Sequence, residues 1–195
     1  PRTPKKLRQG MTVVSFPLVR AHGGVQLTGL SPLAPGGYAE RVVVEASLTF
    51  PVPNGLSVDI AALTEPMAVG LHAVRRSEIS KRDTAIVVGC GPVGLAVICQ
   101  LKALGAEKIV ASDFSPARRE LARRCGADVV VDPAVESPFE RALGKGMITE
   151  STALYDMALT TMGKLRKLPG WAGVYRAADA LGAADPKRPV IFECV

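Results

Sequence analysis

A chain of 195 residues, 48% of them hydrophobic, buries a core of ordinary size, which excludes intrinsic disorder. No apolar run reaches the ~20 residues that span a bilayer, and the opening PRTPKKLRQG lacks the apolar centre of a secretory signal, so the expectation is a cytoplasmic protein with no membrane partner. The net charge of +6 is spread along the chain and interleaved with acids, as in RRELARRCGAD, and with one Trp, three Tyr and five Phe the composition favours solvated helix faces over nucleic acid.

Taken in chain order, the first part reads as β structure. Thr12 to Phe16 (TVVSF) and Tyr38 to Glu45 (YAERVVVE) are β-branched runs, and the intervening AHGGVQLTGLSPLAPGG is too rich in glycine and proline to be regular. After the turn-rich FPVPNGLS the apolar residues recur at helical spacing (Val58, Ala61, Ala62, Met67, Val69, Leu71), with Ser57 as N-cap and Pro66 opening a second helix. From Thr84 strand and helix patterns alternate. AIVV leads to a helix from Pro92 to Leu104 closed by Gly105, and IVAS to a helix from Ser115 to Cys125 closed by Gly126; DVVV and PVIFECV follow. Such alternation predicts an α/β fold with a parallel sheet covered by helices. Between Pro138 and Pro189 lie amphipathic pieces, TALYDMALTTMGKLRKL and VYRAADALG, which predict two or three short helices. Cys90, Cys99, Cys125 and Cys194 form no CxxC pair and read as buried reduced thiols.

The stretch VVGCGPVGLA carries the most chemistry. Gly89, Gly91 and Gly94 are spaced GxGxxG at a strand-to-helix turn, with Pro92 and Val93 between the last two. The first glycine permits the tight turn, the second lets a pyrophosphate approach the backbone, and the third lets the helix pack on the sheet. The amides and dipole of the helix N-terminus then face the phosphates. Loops of this kind also serve FAD and methyltransferase folds, so the context matters. Asp113 stands at the end of the next strand, near the ~20-residue interval expected of the acid that accepts the ribose hydroxyls. A carboxylate there repels the 2′-phosphate of NADP and favours NAD. Alternatively Asp113 only caps the helix beginning near Ser115. Arg118, one turn into that helix, reaches the adenosine ribose or is a surface charge; with Arg119 it could instead grip a phosphate, which would admit NADP.

These residues, together with GGYAERVVVEASLTFPVPNGLSVDIAALTEPMAVGLHAV and ASDFSPARRELARRCGAD, resemble the medium-chain, zinc-type alcohol dehydrogenase superfamily, closest to its sorbitol, butanediol and threonine dehydrogenase branch. The resemblance covers Gly10 to Asp132 and resumes at RPVIFECV. It implies a partial Rossmann doubly wound sheet over 67–195, preceded over 1–66 by the remnant of a GroES-like β domain. It further implies an NAD-linked oxidoreductase of alcohols or polyols that is a homo-oligomer when complete, with a catalytic zinc in the parent protein. In the family the TEP segment supplies a zinc ligand, or a carboxylate that reaches the metal through water. Glu65 holds that place, as a catalytic and metal-site candidate or as an exposed first-turn residue beside Pro66. His72 reads as a packed helix residue rather than a ligand.

Two features depart from the family pattern. No cysteine precedes Glu65, and the only histidine before it is His22, too few donors for a zinc of roughly four ligands; the four-cysteine lobe of a second zinc is also missing. The chain starts without Met and ends on its fourth apparent Rossmann strand, leaving an apolar sheet edge, so it reads as a fragment inactive alone. A non-catalytic NAD(P)-binding module and a zinc-free quinone reductase are the alternatives.

Overall fold

The computed structural model describes residues 6–21, 23–142, 150–167, 169–180 and 188–195. It divides into two units, Pro1–Glu65 and Pro66–Val195.

The first unit holds two antiparallel pairs. Strand β1 (Val13–Ser15) pairs with β4 (Thr49–Pro51), and β2 (Leu18–Ala21) with β3 (Gly24–Leu27). The β2–β3 hairpin corrects the expectation of an irregular stretch after Ala21. Gly23 sits at φ 78°, a value glycine adopts without a Cβ penalty, and that is what lets the chain reverse there. The opposite correction applies to Tyr38–Glu45, which forms no strand. Its β-branched run finds no ladder partner among the described residues, and an unpaired strand is not stable however favourable its side chains. Helix α1 (Val58–Ala61) starts where Ser57 accepts a hydrogen bond from the Ile60 amide at 3.3 Å.

In the second unit, strands β5 (Thr84–Val88), β6 (Lys108–Ser112), β7 (Val129–Val131) and β8 (Pro189–Glu193) form one parallel sheet in the order β7-β6-β5-β8. The chain runs outward from β5 to β7, then crosses back to place β8 on the other side of β5. That reversal is the switch point of a doubly wound Rossmann sheet. Alternation along the strands divides the core. Ala85, Val87, Ile109 and Ala111 pack on one face beneath α3 (Pro92–Leu104) and α4 (Pro116–Cys125), while Ile86, Val110 and Val131 face α5 (Pro138–Ala142) on the other. Both central helices stop at a left-handed glycine, Gly105 (φ 81°) and Gly126 (φ 113°).

Helix α2 (Thr64–Arg76) carries Pro66 in its first turn. A Cβ on Gly70 would lie 2.9 Å from backbone atoms of Ala96 and Val97, so α2 and α3 touch backbone to backbone there. The face of α2 that is buried runs through Gly70 and Val74; His72 points off it and is exposed, which corrects the expectation that it is packed. Asp83, itself buried, fastens the start of β5 to that of β8 by accepting from the Ser80 amide at 2.9 Å and from the Arg188 amide at 3.2 Å. The Pro138–Pro189 region contains α5, α6 (Ser151–Leu165) and α7 (Trp171–Ala180). No described helix is long and apolar enough to cross a membrane.

Candidate nucleotide-binding site

Strand β5 ends at Val88, and the next residues make the turn the glycine spacing anticipates. Gly89 takes φ 91° and donates its amide to the Ser112 carbonyl at 2.8 Å, so the turn begins while still hydrogen-bonded to β6. A Cβ there would stand 2.9 Å from the Cys194 carbonyl oxygen, which places the ends of β5 and β8 in near contact. Gly91 is the N-cap of α3 and brings no side chain to cap its amides. A Cβ on Gly91 meets nothing within 4 Å; the space above it is open. Pro92 occupies the first helical turn, exposed, and Val93 is half-buried beside it. Gly94 is buried, and a Cβ on it would fall on the Gly89 carbonyl oxygen.

Gly89 and Gly91 border a cleft of about 620 Å³ at the carboxyl end of the sheet, lined also by Asp113, Phe114, Arg118 and Phe139; Pro92, Val93 and Gly94 are not among its lining residues. Asp113 is the best-held group in it, 9% exposed. Its Oδ2 accepts from the Cys90 amide and its Oδ1 from the Ser115 amide, both at 2.8 Å. Burial pushes this carboxyl upward, but the two amides and the nearby Arg118 and Arg119 outweigh it and hold Asp113 below its ordinary value, ionised at neutral pH. The helix-cap role belongs to Ser115, whose Oγ accepts from the Arg118 amide at 3.4 Å. Asp113 instead ties the glycine loop to the start of α4.

Arg118 is 59% exposed, with Nη1 3.8 Å from Asp113 Oδ2, close enough to follow a ligand of that carboxylate. Arg119 is committed elsewhere. Its Nη1 donates to the carbonyls of Asp113 and Phe114, both at 2.8 Å, and pairs with Asp132 at 3.0 Å. Arg119 therefore supports the β6–α4 turn and is not free to grip a phosphate. Phe114, 73% exposed, and Phe139 give the cleft an apolar wall that the glycine motif did not indicate. Cys90 is fully buried between the loop glycines; burial first, then the Asp113 charge, pushes its thiol up to about 11. The other three cysteines are free and only half-buried.

Residues 92–164 match the family model described as zinc-binding dehydrogenase. Over this segment the chain is similar to zinc-binding dehydrogenases. Similar proteins include the (R,R)-butanediol dehydrogenase of Bacillus subtilis, 48% identical over 99 residues, which are 51% of this chain and 28% of that protein. The sorbitol dehydrogenase of the same bacterium is 34% identical over 110 residues, 56% of this chain and 31% of the relative. Among solved structures, 2R,3R-butanediol dehydrogenase from Bacillus subtilis superposes with TM-score 0.54 at 39% identity, covering 69% of this chain and 41% of that one. The chain thus spans less than a third of the length of these two curated relatives.

The metal candidate is Glu65. Glu65 is exposed in the first turn of α2. Among the described residues no three His, Cys, Asp or Glu side chains converge on a point that could hold a metal ion, and His22 lies outside the described residues. The donors among the described residues do not fit a zinc site.

Proposed function

We propose that this chain is the cofactor-holding part of an NAD-linked dehydrogenase that oxidises a CH–OH group of a small alcohol or polyol. The observation that carries the reading is the pairing of the open space above Gly91 with the ionised, anchored carboxylate of Asp113 on the same cleft. Each Asp113 oxygen spends one lone pair on a backbone amide and keeps acceptor capacity for the two ribose hydroxyls of an adenosine. Its charge disfavours a phosphate on the 2′ position. The N-terminus of α3 and the bare backbone at Gly91 receive a pyrophosphate, and Phe114 and Phe139 offer apolar surface to a base. The chemistry supplied by a bound NAD is acceptance of a hydride from the alcohol carbon. The chain's own residues bind and orient; Gly94 keeps α3 pressed against the loop so that the cradle does not widen.

The substrate class follows from the relatives, named for butanediol and sorbitol. Glu65, a carboxylate presented on the first turn of α2, would serve a metal only together with donors beyond the described residues. Calorimetric titration with NADH and NADPH tests the nucleotide assignment. NADH binds more tightly to the unaltered chain, and Asp113→Ala narrows the gap between the two. Equal affinities in the unaltered chain would overturn the role given to Asp113.

A further inference from the structure

The glycine loop, its cleft and the two core clusters leave α6 and α7 without a role. No residue of α6 is buried, and no described side chain of either helix belongs to either core cluster. Their sequences are nonetheless amphipathic. On α6, Leu154, Tyr155, Met157, Ala158, Leu159 and Met162 share one broad face, with Lys164 at its edge and Asp156 and Thr160 on the other side. Tyr155 is 63% and Leu159 55% exposed. On α7, Trp171, Val174 and Tyr175 form a second apolar face, with Val174 58% exposed. An apolar face of this width is not stable against water alone and calls for a covering medium.

Charge identifies that medium. The acids of α6 and its N-cap, Glu150 and Asp156, lie toward its beginning, whereas Lys164, Arg166 and Lys167 cluster within four positions at its end, all exposed. The cluster adjoins Trp171, over whose ring the Arg166 guanidinium sits at 6.0 Å. Cations beside a tryptophan, at the margin of an apolar helix face, match the layered chemistry of a bilayer surface, where phosphates lie above acyl chains. A protein groove would supply the apolar part without requiring the concentrated positive charge. We propose that α6 and α7 dock on the surface of an anionic lipid bilayer, with the apolar faces lying in its interfacial layer. The expectation of no membrane partner rested on the missing span, and a helix lying in the interface needs none.

The sole tryptophan makes the test direct. The 195-residue chain is mixed with phosphatidylcholine vesicles, with or without phosphatidylglycerol, and followed by co-sedimentation and Trp171 emission. Binding and a blue shift are expected with the anionic vesicles, weakening as salt rises. The triple variant Lys164→Ser, Arg166→Ser, Lys167→Ser lowers the partition coefficient by about a hundredfold, since each cation contributes roughly a factor of five at such a surface. Leu154→Ser with Leu159→Ser abolishes the blue shift. All five side chains are exposed, so circular dichroism and NADH affinity stay as in the parent chain. Absence of binding to anionic vesicles overturns the proposal, as does equal, salt-insensitive binding to neutral ones. A concentration-dependent dimer dissolved by the leucine substitutions, without vesicle binding, would give the face to a second copy instead.

Discussion

Replacing Gly91 by valine separates the nucleotide cradle from the fold that carries it. Gly91 has φ −73° and ψ −173°, values open to any L-residue, and its hypothetical Cβ meets no heavy atom within 4 Å. The folded chain therefore loses about 1 kcal/mol at most, the cost of a poorer helix cap. The space the new methyls enter is the space a pyrophosphate needs. Hydrogen bonds from backbone amides to a charged oxygen contribute about 1.5–3 kcal/mol each. Losing one or two of them weakens NADH binding by a hundredfold or more, in round numbers about 3 kcal/mol. Gly94→Ala is the opposite case. Its Cβ would strike the Gly89 carbonyl oxygen and lie 3.0 Å from the carbonyl carbon, so the loop and helix must part, at about 1–3 kcal/mol of stability. Urea unfolding and calorimetry on both variants make the contrast measurable. Gly91→Val keeps nearly the parent midpoint and loses NADH; Gly94→Ala shifts the midpoint. Parent-like NADH affinity in Gly91→Val would remove this loop from the binding site, and equal destabilisation of the two variants would show that the packing argument is wrong.

Other consequences follow from the same site. Asp113→Asn keeps one acceptor oxygen but turns an amide donor toward the Cys90 or Ser115 N–H, costing about 2 kcal/mol at neutral pH. Because the folded-state pKa of Asp113 is depressed, its contribution is fully present above the ordinary 3.8 and is lost as pH falls through the lower folded value. Acid unfolding curves of the Asn variant should therefore lie closer to the parent at low pH than at pH 7; a constant offset at every pH would refute the assignment. The Cys90 thiol, buried and raised to about 11, stays unalkylated by iodoacetamide near pH 8 in the native chain and reacts once the chain is unfolded in urea; peptide mass spectrometry showing rapid Cys90 labelling in the native chain would contradict its burial.

The second unit was legible because its signals are local. β5, α3 and α4 are each bounded by residues whose chemistry fixes an end: Gly91 and Ser115 at the helix starts, Gly105 and Gly126 at the stops. The order in which the strands line up is not local, and it rested on the general preference of alternating elements for a parallel, switched sheet. The first unit was less legible because strand pairing is a property of two segments. Val42, Val43 and Val44 have every propensity for a strand and no ladder partner among the described residues, while Gly24–Leu27 has a weaker pattern and gains a ladder from Leu18–Ala21. The same holds for the site. GxGxxG and Asp113 could be read from spacing, but Phe114 and Phe139 carry no periodic signal, and their place on the cleft follows only from the turn after β6 and the start of α5.

Asp113 was open to two readings, ribose acceptor or helix cap, and its two amide bonds give it a structural role that the proposed ribose contact would share. By holding the Cys90 amide, its carboxylate fixes the glycine loop; by holding the Ser115 amide, it sets the start of α4. Arg119 braces the same turn from the carbonyl side and through Asp132. On the proposed function, the charge that would discriminate against a 2′-phosphate is therefore also the charge that shapes the glycine loop. Removing it does two things to NADPH: it relieves repulsion and loosens the loop that must bind the diphosphate. Asp113→Ala should accordingly narrow the cofactor preference mainly by weakening NADH, with only a small absolute gain for NADPH. A substitution that left the Cys90 amide paired while moving the charge would be needed for NADPH to bind well.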